Sequence, residues 1–143
     1  MSKEKQELEQ IIGKGKPVQD SYIAKLPYLQ AIIKETFRLH PAVPFLVPRK
    51  ADANVEIERF LGSKIDAIGH NFELLPFGSG RRICPDISLA TKMLPLMLGS
   101  FINCFNWKLE DGTKVEDMDM DDKFGLSLEK SQKLRIVLEK VYN

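Results

Sequence analysis

The segment Leu75–Asp86 holds most of the residues in this chain that could do chemistry. It reads LPFGSGRRICPD and joins two glycines, two arginines and one cysteine directly to a long apolar stretch. A reactive or metal-binding cysteine acts as its thiolate, which the N–H groups of a tight loop and the positive end of a following helix stabilise. Arg82 lies two residues before Cys84 and offers the charge and planar donors that bind an anion. The segment therefore predicts a stabilised thiolate beside an anion-binding arginine.

Other uses of this loop agree less well with its spacing. A phosphatase-type Cys-x5-Arg motif fails, because Ala90 stands six residues after Cys84. A dinucleotide-binding Gly-x-Gly-x-x-Gly motif beginning at Gly78 fails, because its last position holds Ile83. A plain glycine-rich turn with a buried cysteine remains the alternative.

A second candidate pair lies upstream, on a predicted helix. Leu26, Leu29, Ile33 and Phe37 recur at helical spacing, with a proline acceptable in the first turn and another ending the segment. Glu35 and Arg38 are three residues apart and share one face of this helix. Taken alone, such a pair is most often a solvated surface ion pair of little energetic consequence.

The remaining patterns indicate further helices. A short lead-in helix is expected at about Lys3 to Ile12. The stretch from Ile87 to Phe105 is apolar around most of its circumference, so this helix is expected to be buried on nearly every side. The acidic segment 116–122 lacks the spacing of a calcium loop and is expected to be a surface loop.

Length and composition narrow the function classes. At 143 residues the chain has the length of one ordinary domain, and 21 basic against 20 acidic residues give no reason to expect a nucleic acid partner. Two cysteines form neither a disulfide framework nor a zinc site. The most apolar stretch, Met93 to Phe105, is interrupted by Pro95 and is short for a bilayer, so no transmembrane span or membrane anchor is expected.

The cysteine loop resembles the pattern Phe-x-x-Gly-x-Arg-x-Cys-x-Gly of the cytochrome P450 family, the haem-thiolate monooxygenases. Every fixed position matches except the last, where this chain has Asp86. The sequence most resembles those of plant microsomal members of the group that hydroxylates terpenoids. The resemblance implies haem as cofactor, with Cys84 as the axial iron ligand, Arg82 on a propionate, and Phe77 and Gly80 packed near the ring.

The resemblance implies further roles along the chain. Glu35 and Arg38 look like the family's buried Glu-x-x-Arg pair, and Arg59 of the Glu-Arg-Phe segment looks like the third member of that structural network. Arg49 is the second candidate for a propionate contact. The candidates for the substrate pocket are Val43, Phe45, Leu46 and Leu126.

The resemblance also implies a partial cytochrome P450 fold. It comprises the Glu-x-x-Arg helix, the cysteine loop, the long helix that follows and the C-terminal strands. The implied class is α+β, mainly α with small β pieces, and the implied strands include Asn54–Ile57 and Leu134–Leu138. Residues 1–143 are expected to form one incomplete domain, whose parts are 1–57 and 58–143, with an internal deletion at 57/58. The oxygen-activating helix of the family, marked by Ala/Gly-Gly-x-Asp/Glu-Thr, has no counterpart in these 143 residues.

Function follows from the resemblance as an expectation. The family inserts one oxygen atom of O2 into a substrate, takes electrons through an NADPH-dependent reductase, and in these members acts on small apolar molecules at the endoplasmic reticulum membrane. This chain is expected to have no membrane anchor of this kind and to be cytosolic or peripheral. Alone it is expected to be inactive, and the alternative is a non-catalytic truncated product or a haem-binding fragment.

One departure from the family pattern carries its own expectation. Asp86 follows Cys84 closely and begins the apolar helix, where aspartate is a preferred capping residue. A carboxylate there also repels the thiolate and opposes its formation. Asp86 is therefore expected to favour the helix and to hinder haem binding.

Overall fold

The described part of the chain is mainly helical with two small antiparallel sheets. In this computed structural model it comprises residues 2–43, 62, 65–67, 69 and 70, 74–110, 114–125 and 127–141, without the side chain of Arg82. The helices are α1 (Lys3–Ile11), α2 (Asp20–Ile23), α3 (Pro27–Leu39) and α4 (Ile87–Cys104). The strands are β1 (Phe105–Leu109), β2 (Asp122–Lys123), β3 (Glu129–Lys130) and β4 (Ile136–Lys140), and short 3-10 turns lie at Gly80–Arg82 and Val115–Asp117. The predicted α+β class is confirmed.

Helix α3 forms where the apolar spacing predicts it. Pro27 occupies its first turn, where the missing N–H costs nothing. The helix ends at Leu39, and His40 closes it by donating its N–H to the Thr36 carbonyl. Its buried residues are Leu29, Ala31 and Glu35. Leu29 is two residues from Ala31, so the two side chains point to different sides of the helix. Leu29 and Ala31 accordingly pack into two separate apolar clusters.

A cluster of large apolar side chains joins α1, α3 and α4. We call it the scaffold cluster, and its buried members are Leu8, Ile12, Val18, Leu26 and Leu29. Helix α4 approaches it at Gly99, where an added Cβ would lie 2.8 Å from Val18 Cγ2 and 2.9 Å from Leu29 Cδ2. The close approach therefore requires a glycine at this position.

Helix α4 has one buried face and one exposed apolar face. Pro95, Gly99 and Asn103 are buried at intervals of four residues. On the other side a stripe of large apolar side chains is open to solvent, comprising Leu89, Met93, Met97 and Phe101. The expectation of burial on nearly every side is wrong for this chain, because the described elements cover only the face toward α1 and α3.

Helix α4 also continues through Pro95 without a break. With 18 residues, the helix is long and apolar enough to cross a membrane, judged by length and composition alone. Only 17% of it is buried in the fold. The expectation that Pro95 and short length exclude such a segment was therefore too strict. The proline lies on the buried face, where packing against the other helices offsets its missing hydrogen bond.

The C-terminal part forms two small sheets. Strands β1 and β4 pair antiparallel from Phe105 opposite Lys140 to Leu109 opposite Ile136. β4 begins two residues later than the predicted strand at Leu134–Leu138, because its first residue, Ile136, pairs with Leu109, the last residue of β1. Strands β2 and β3 pair through Asp122–Lys130 and Lys123–Glu129. The predicted strand Asn54–Ile57 lies outside the described residues.

Candidate functional site

The cysteine loop folds back on itself through main-chain hydrogen bonds. The N–H of Cys84 donates to the carbonyl of Phe77 at 2.9 Å, and a single 3-10 turn at Gly80–Arg82 lies between them. Gly78 and Gly80 have φ values of 73° and 67°, a conformation that side-chain-bearing residues rarely adopt. A Cβ built at Gly80 meets no atom of the described residues within 4 Å, so the loop is open on that side as far as these residues show. The loop is thus a closed turn with one open side.

Cys84 is partly exposed and stands immediately before α4. Asp86 occupies the N-cap position of that helix, as expected, and its carbonyl accepts the N–H of Ala90 at 2.9 Å. Its exposed side chain forms no capping hydrogen bond. The capping hydrogen bond of the Asp86 carboxylate, expected from the sequence, is therefore absent, because the backbone at Asp86 is not in the extended conformation of a side-chain cap.

A second, smaller cluster supports this loop, and we call it the loop cluster. Its buried members are Ala31, Ala67 and Leu74, and the half-buried Phe37, Ile65 and Phe77 pack against them. The rings of Phe37 and Phe77 meet edge to face, with centroids 5.3 Å apart and planes at 78°. Helix α3 thus contacts the residue whose carbonyl holds the Cys84 N–H.

Glu35 and Arg38 form a close ion pair on α3. Arg38 Nη2 lies 2.7 Å from Glu35 Oε1, and Arg38 Nε donates to both carboxylate oxygens at 3.1 Å. Glu35 is only 3% exposed. Its hydrogen bonds raise the pKa of Arg38 above the ordinary value, against the opposing effect of desolvation. The pair is therefore not the solvated surface pair that an isolated Glu-x-x-Arg motif suggests.

Two residues that the sequence analysis missed also contribute. The carboxylate of Glu7 accepts hydrogen bonds from the first free N–H groups of α3. Gly69 has φ 87°, and a Cβ built on it would lie 2.8 Å from the Gly78 carbonyl oxygen. The need for an acceptor such as Glu7 could have been inferred from the sequence, because a helix beginning Leu26-Pro27 has no capping side chain of its own. The role of Gly69 could not, because its close contact with Gly78 is a tertiary one.

The other candidate residues divide into described and undescribed ones. Val43 is 47% exposed. The Leu128 N–H donates to the Ala42 carbonyl at 2.9 Å, which brings the neighbour of Val43 close to the segment that carries Leu126. Five candidates lie outside the described residues: Arg49, Arg59, Phe45, Leu46 and Leu126. The side chain of a sixth candidate, Arg82, also lies outside them.

The donor set fits haem with a single axial thiolate. Within the described ranges, no three His, Cys, Asp or Glu side chains cluster as a metal-binding group. Cys84 therefore offers one sulfur ligand, and a flat macrocycle that brings its own four nitrogens needs only one. A Cβ built at Gly80 meets no described atom within 4 Å, so a flat ring could approach the backbone closely at this glycine.

Comparison with known proteins identifies relatives across nearly the whole chain. The family model described as "Cytochrome P450" matches residues 1–58 and 53–135. Geraniol 8-hydroxylase of Catharanthus roseus is 44% identical over 170 aligned positions, covering 96% of this chain and 34% of the relative. Drimenol monooxygenase of Persicaria hydropiper is also 44% identical, with the same coverage. The chain spans about a third of the length of these relatives.

Solved structures agree on the fold. A zebra fish cytochrome P450 structure with abiraterone matches at a TM-score of 0.75 and 21% identity, covering 98% of this chain and 39% of that one. A second zebra fish structure, with progesterone, matches at a TM-score of 0.70. The arrangement of helices and small sheets is thus that of one part of a larger fold.

Proposed function

Because the chain belongs to the cytochrome P450 family, we propose that its cysteine loop binds haem through the Cys84 sulfur. One observation carries the proposal. The Cys84 N–H is held by the Phe77 carbonyl at 2.9 Å across a turn with two positive-φ glycines, next to open space at Gly80. This geometry presents a single sulfur at a loop surface where a flat ligand can lie. The chain's relatives are named hydroxylases and monooxygenases, which makes it an enzyme by family.

The other loop residues have supporting roles in this proposal. Arg82 and Arg49 hold the propionates by charge-assisted hydrogen bonds. Phe77 keeps water from the sulfur, and Gly80 leaves the space for the ring. Glu35, Arg38 and Arg59 fix the core behind the loop. When bound, haem supplies the centre at which O2 is activated for transfer of one oxygen atom to a substrate.

The substrate class in the proposal is a small apolar molecule of terpenoid type. The printed names of two relatives, geraniol 8-hydroxylase and drimenol monooxygenase, support it. Val43, Phe45, Leu46 and Leu126 are the proposed pocket residues. The bond from Leu128 to Ala42 supports their placement on one side, since it brings the two segments into contact. Electrons are proposed to come from an NADPH-dependent reductase.

We also propose that residues 1–57 and 58–143 are two stretches of one domain joined across an internal deletion. The two matches of the family model meet between residues 53 and 58. The alignment with the Catharanthus enzyme has 170 positions, and 96% of 143 residues is about 137, so about 33 positions have no residue of this chain. A deletion of this size between Ile57 and Glu58 accounts for both observations.

The 143 residues by themselves are proposed to hold haem without turning over a substrate. About two thirds of each relative has no counterpart in these 143 residues, and the oxygen-activating motif of the family is absent from them. The proposed activity of the chain itself is haem binding without oxygenation. Addition of NADPH, reductase and geraniol should therefore give no oxygenated product.

Haem titration of the purified chain tests the binding. We expect one haem per chain, a Soret absorption typical of thiolate ligation, and loss of that absorption in Cys84→Ser. Cys104→Ser is the matched control, because this second free cysteine lies at the far end of α4. Equal spectra for the two variants would show that haem associates without Cys84.

Asp86→Gly tests the position that departs from the family pattern. The Asp86 side chain makes no capping hydrogen bond, so its removal costs α4 little. The change removes a negative charge two residues from the sulfur and introduces the glycine of the family pattern. We expect tighter haem binding by the variant in equilibrium titrations, with Asp117→Gly, in a distant exposed turn, as the control. Unchanged affinity would contradict this role of Asp86.

A further inference from the structure

We propose that Glu7 is a positioning residue for the cysteine loop, on which it acts through helix α3. The inference rests on the proposed role of that loop in haem binding. Its starting point is a pair of hydrogen bonds between two helices. The Tyr28 N–H donates to Glu7 Oε1 at 2.8 Å, and the Leu29 N–H donates to Glu7 Oε2 at 3.0 Å.

Helix α3 needs these acceptors because its own sequence provides none. Its N-cap residue, Leu26, has no side-chain hydrogen-bonding group, and Pro27 has no N–H. The N–H groups of Tyr28 and Leu29 are therefore the first that require a partner. A carboxylate is the best acceptor at this end, since the helix dipole places positive charge there. Glu7 supplies from α1 the cap that local sequence normally supplies.

Two hydrogen bonds from Glu7 restrict the position of α3 more than a single hydrogen bond would. Glu7 is adjacent to Leu8, which is fully buried in the scaffold cluster, so the carboxylate projects from an anchored helix. Because each oxygen takes a different N–H, the pair of bonds sets both the rotation of α3 and its position along its axis. Helix α3 is thereby held in register with α1.

The C-terminal part of α3 contacts the residues that support the cysteine loop, so the position of α3 affects that loop. Ala31 lies in the loop cluster, and the Phe37 ring packs edge to face on Phe77. The Phe77 carbonyl in turn accepts the Cys84 N–H. A shift or rotation of α3 changes the support of Phe77 and, through it, the closure of the turn that presents Cys84.

The test compares Glu7→Gln and Glu7→Ala with two controls in the haem-free chain. Glu9→Gln changes charge on the same helix at a side chain with no hydrogen bond or ion pair to any described residue. Val18→Ala weakens the scaffold cluster without removing an acceptor from α3. Amide hydrogen exchange reports on Tyr28 and Leu29, and the alkylation rates of Cys84 and Cys104 report on the loop and on the general opening of the chain.

We expect Glu7→Ala to speed exchange of the Tyr28 and Leu29 amides by about fivefold or more, the typical effect of losing a helix cap. Glu7→Gln should have a smaller effect, since its amide retains one acceptor oxygen. In both variants the alkylation of Cys84 should rise by severalfold relative to that of Cys104. Glu9→Gln should change neither, and Val18→Ala should raise both thiol rates together.

Two results would overturn the inference. Unchanged exchange at Tyr28 and Leu29 would show that Glu7 does not cap α3. Faster exchange with an unchanged ratio of Cys84 to Cys104 alkylation would restrict Glu7 to a local cap. If Cys84 responds to Glu7 but the wild-type chain binds no haem, the haem proposal fails and the positioning role stands. If haem binds through Cys84 and the thiol ratio ignores Glu7, the positioning role alone fails.

Discussion

The scaffold cluster and the loop cluster differ in what holds them together. The first buries four large aliphatic side chains and a valine from helical and linking segments, and Leu8, Leu26 and Leu29 are fully enclosed. The second buries two alanines and one leucine, and depends on an aromatic pair and on main-chain hydrogen bonds. Each fully buried leucine contributes about 1.5–3 kcal/mol, and an alanine contributes much less. The stable region therefore lies apart from the loop that carries Cys84, as is common for functional segments.

Leu29→Ala should have the largest effect, because it removes a fully buried side chain from the scaffold cluster. We expect the free energy of unfolding to fall by about 2–5 kcal/mol, measured by urea denaturation followed by far-UV circular dichroism. Met97→Ala, on the exposed face of α4, is the control and should change stability by about 0.5 kcal/mol or less. Similar losses in both would mean that the exposed face of α4 contributes as much to stability as the scaffold cluster does.

Arg38→Ala comes next, because it leaves the buried Glu35 carboxylate without its partner. A loss of about 1–3 kcal/mol is expected for an unsatisfied buried acceptor. A double-mutant cycle with Glu35→Gln isolates the pair, and the two losses should not add. Strict additivity in urea denaturation would contradict a direct interaction.

Gly99→Ala probes the contact between α4 and the scaffold cluster. The added methyl group would lie under 3 Å from Val18 and Leu29, and crowding of this kind typically costs about 1–3 kcal/mol. The better helix propensity of alanine offsets up to about 1 kcal/mol of this. The net result should be a lower thermal midpoint, whereas Ser88→Ala at an exposed position of α4 should not lower it. A stabilised Gly99→Ala would show that the cluster yields readily.

Phe77→Leu should have the smallest effect on stability and a clear effect on the loop. Loss of the edge-to-face contact with Phe37 removes about 0.5–1.5 kcal/mol. We expect faster exchange of the Cys84 amide with little change in urea midpoint. Phe124→Leu, at a largely exposed phenylalanine, is the control. Equal loss of global stability in Phe77→Leu and Leu29→Ala would remove the distinction between the clusters.

The helices could be predicted from the sequence because their signals are local. The apolar spacing and prolines around α3, and the apolar run of α4, define both elements within a few residues. The exposed face of α4 could not be predicted, since composition does not reveal which neighbours are present. The start of β4 depends on where its partner β1 ends, and the role of Glu7 depends on a contact 21 residues distant in sequence. These features depend on tertiary contacts, which local sequence patterns do not reveal.

The candidate site could be predicted only in part, because only some of its features depend on local sequence. The spacing of Phe77, Gly80, Arg82 and Cys84 marks the loop, and the Glu35–Arg38 pair follows from helical geometry. Burial of Glu35 and the contact between Phe37 and Phe77 needed the fold, because they join segments about 40 residues apart. The exposed, uncapping Asp86 shows that a preferred residue type at a helix end does not guarantee the bond.

The most direct measurement of the central claim is the carbon monoxide difference spectrum of the reduced, haem-loaded chain. Ligation by the Cys84 thiolate predicts the long-wavelength band that gives the cytochrome P450 family its name. The band should be lost in Cys84→Ser and retained in Cys104→Ser. A wild-type spectrum without that band, or a band that persists in Cys84→Ser, would contradict the assignment of Cys84 as the haem ligand.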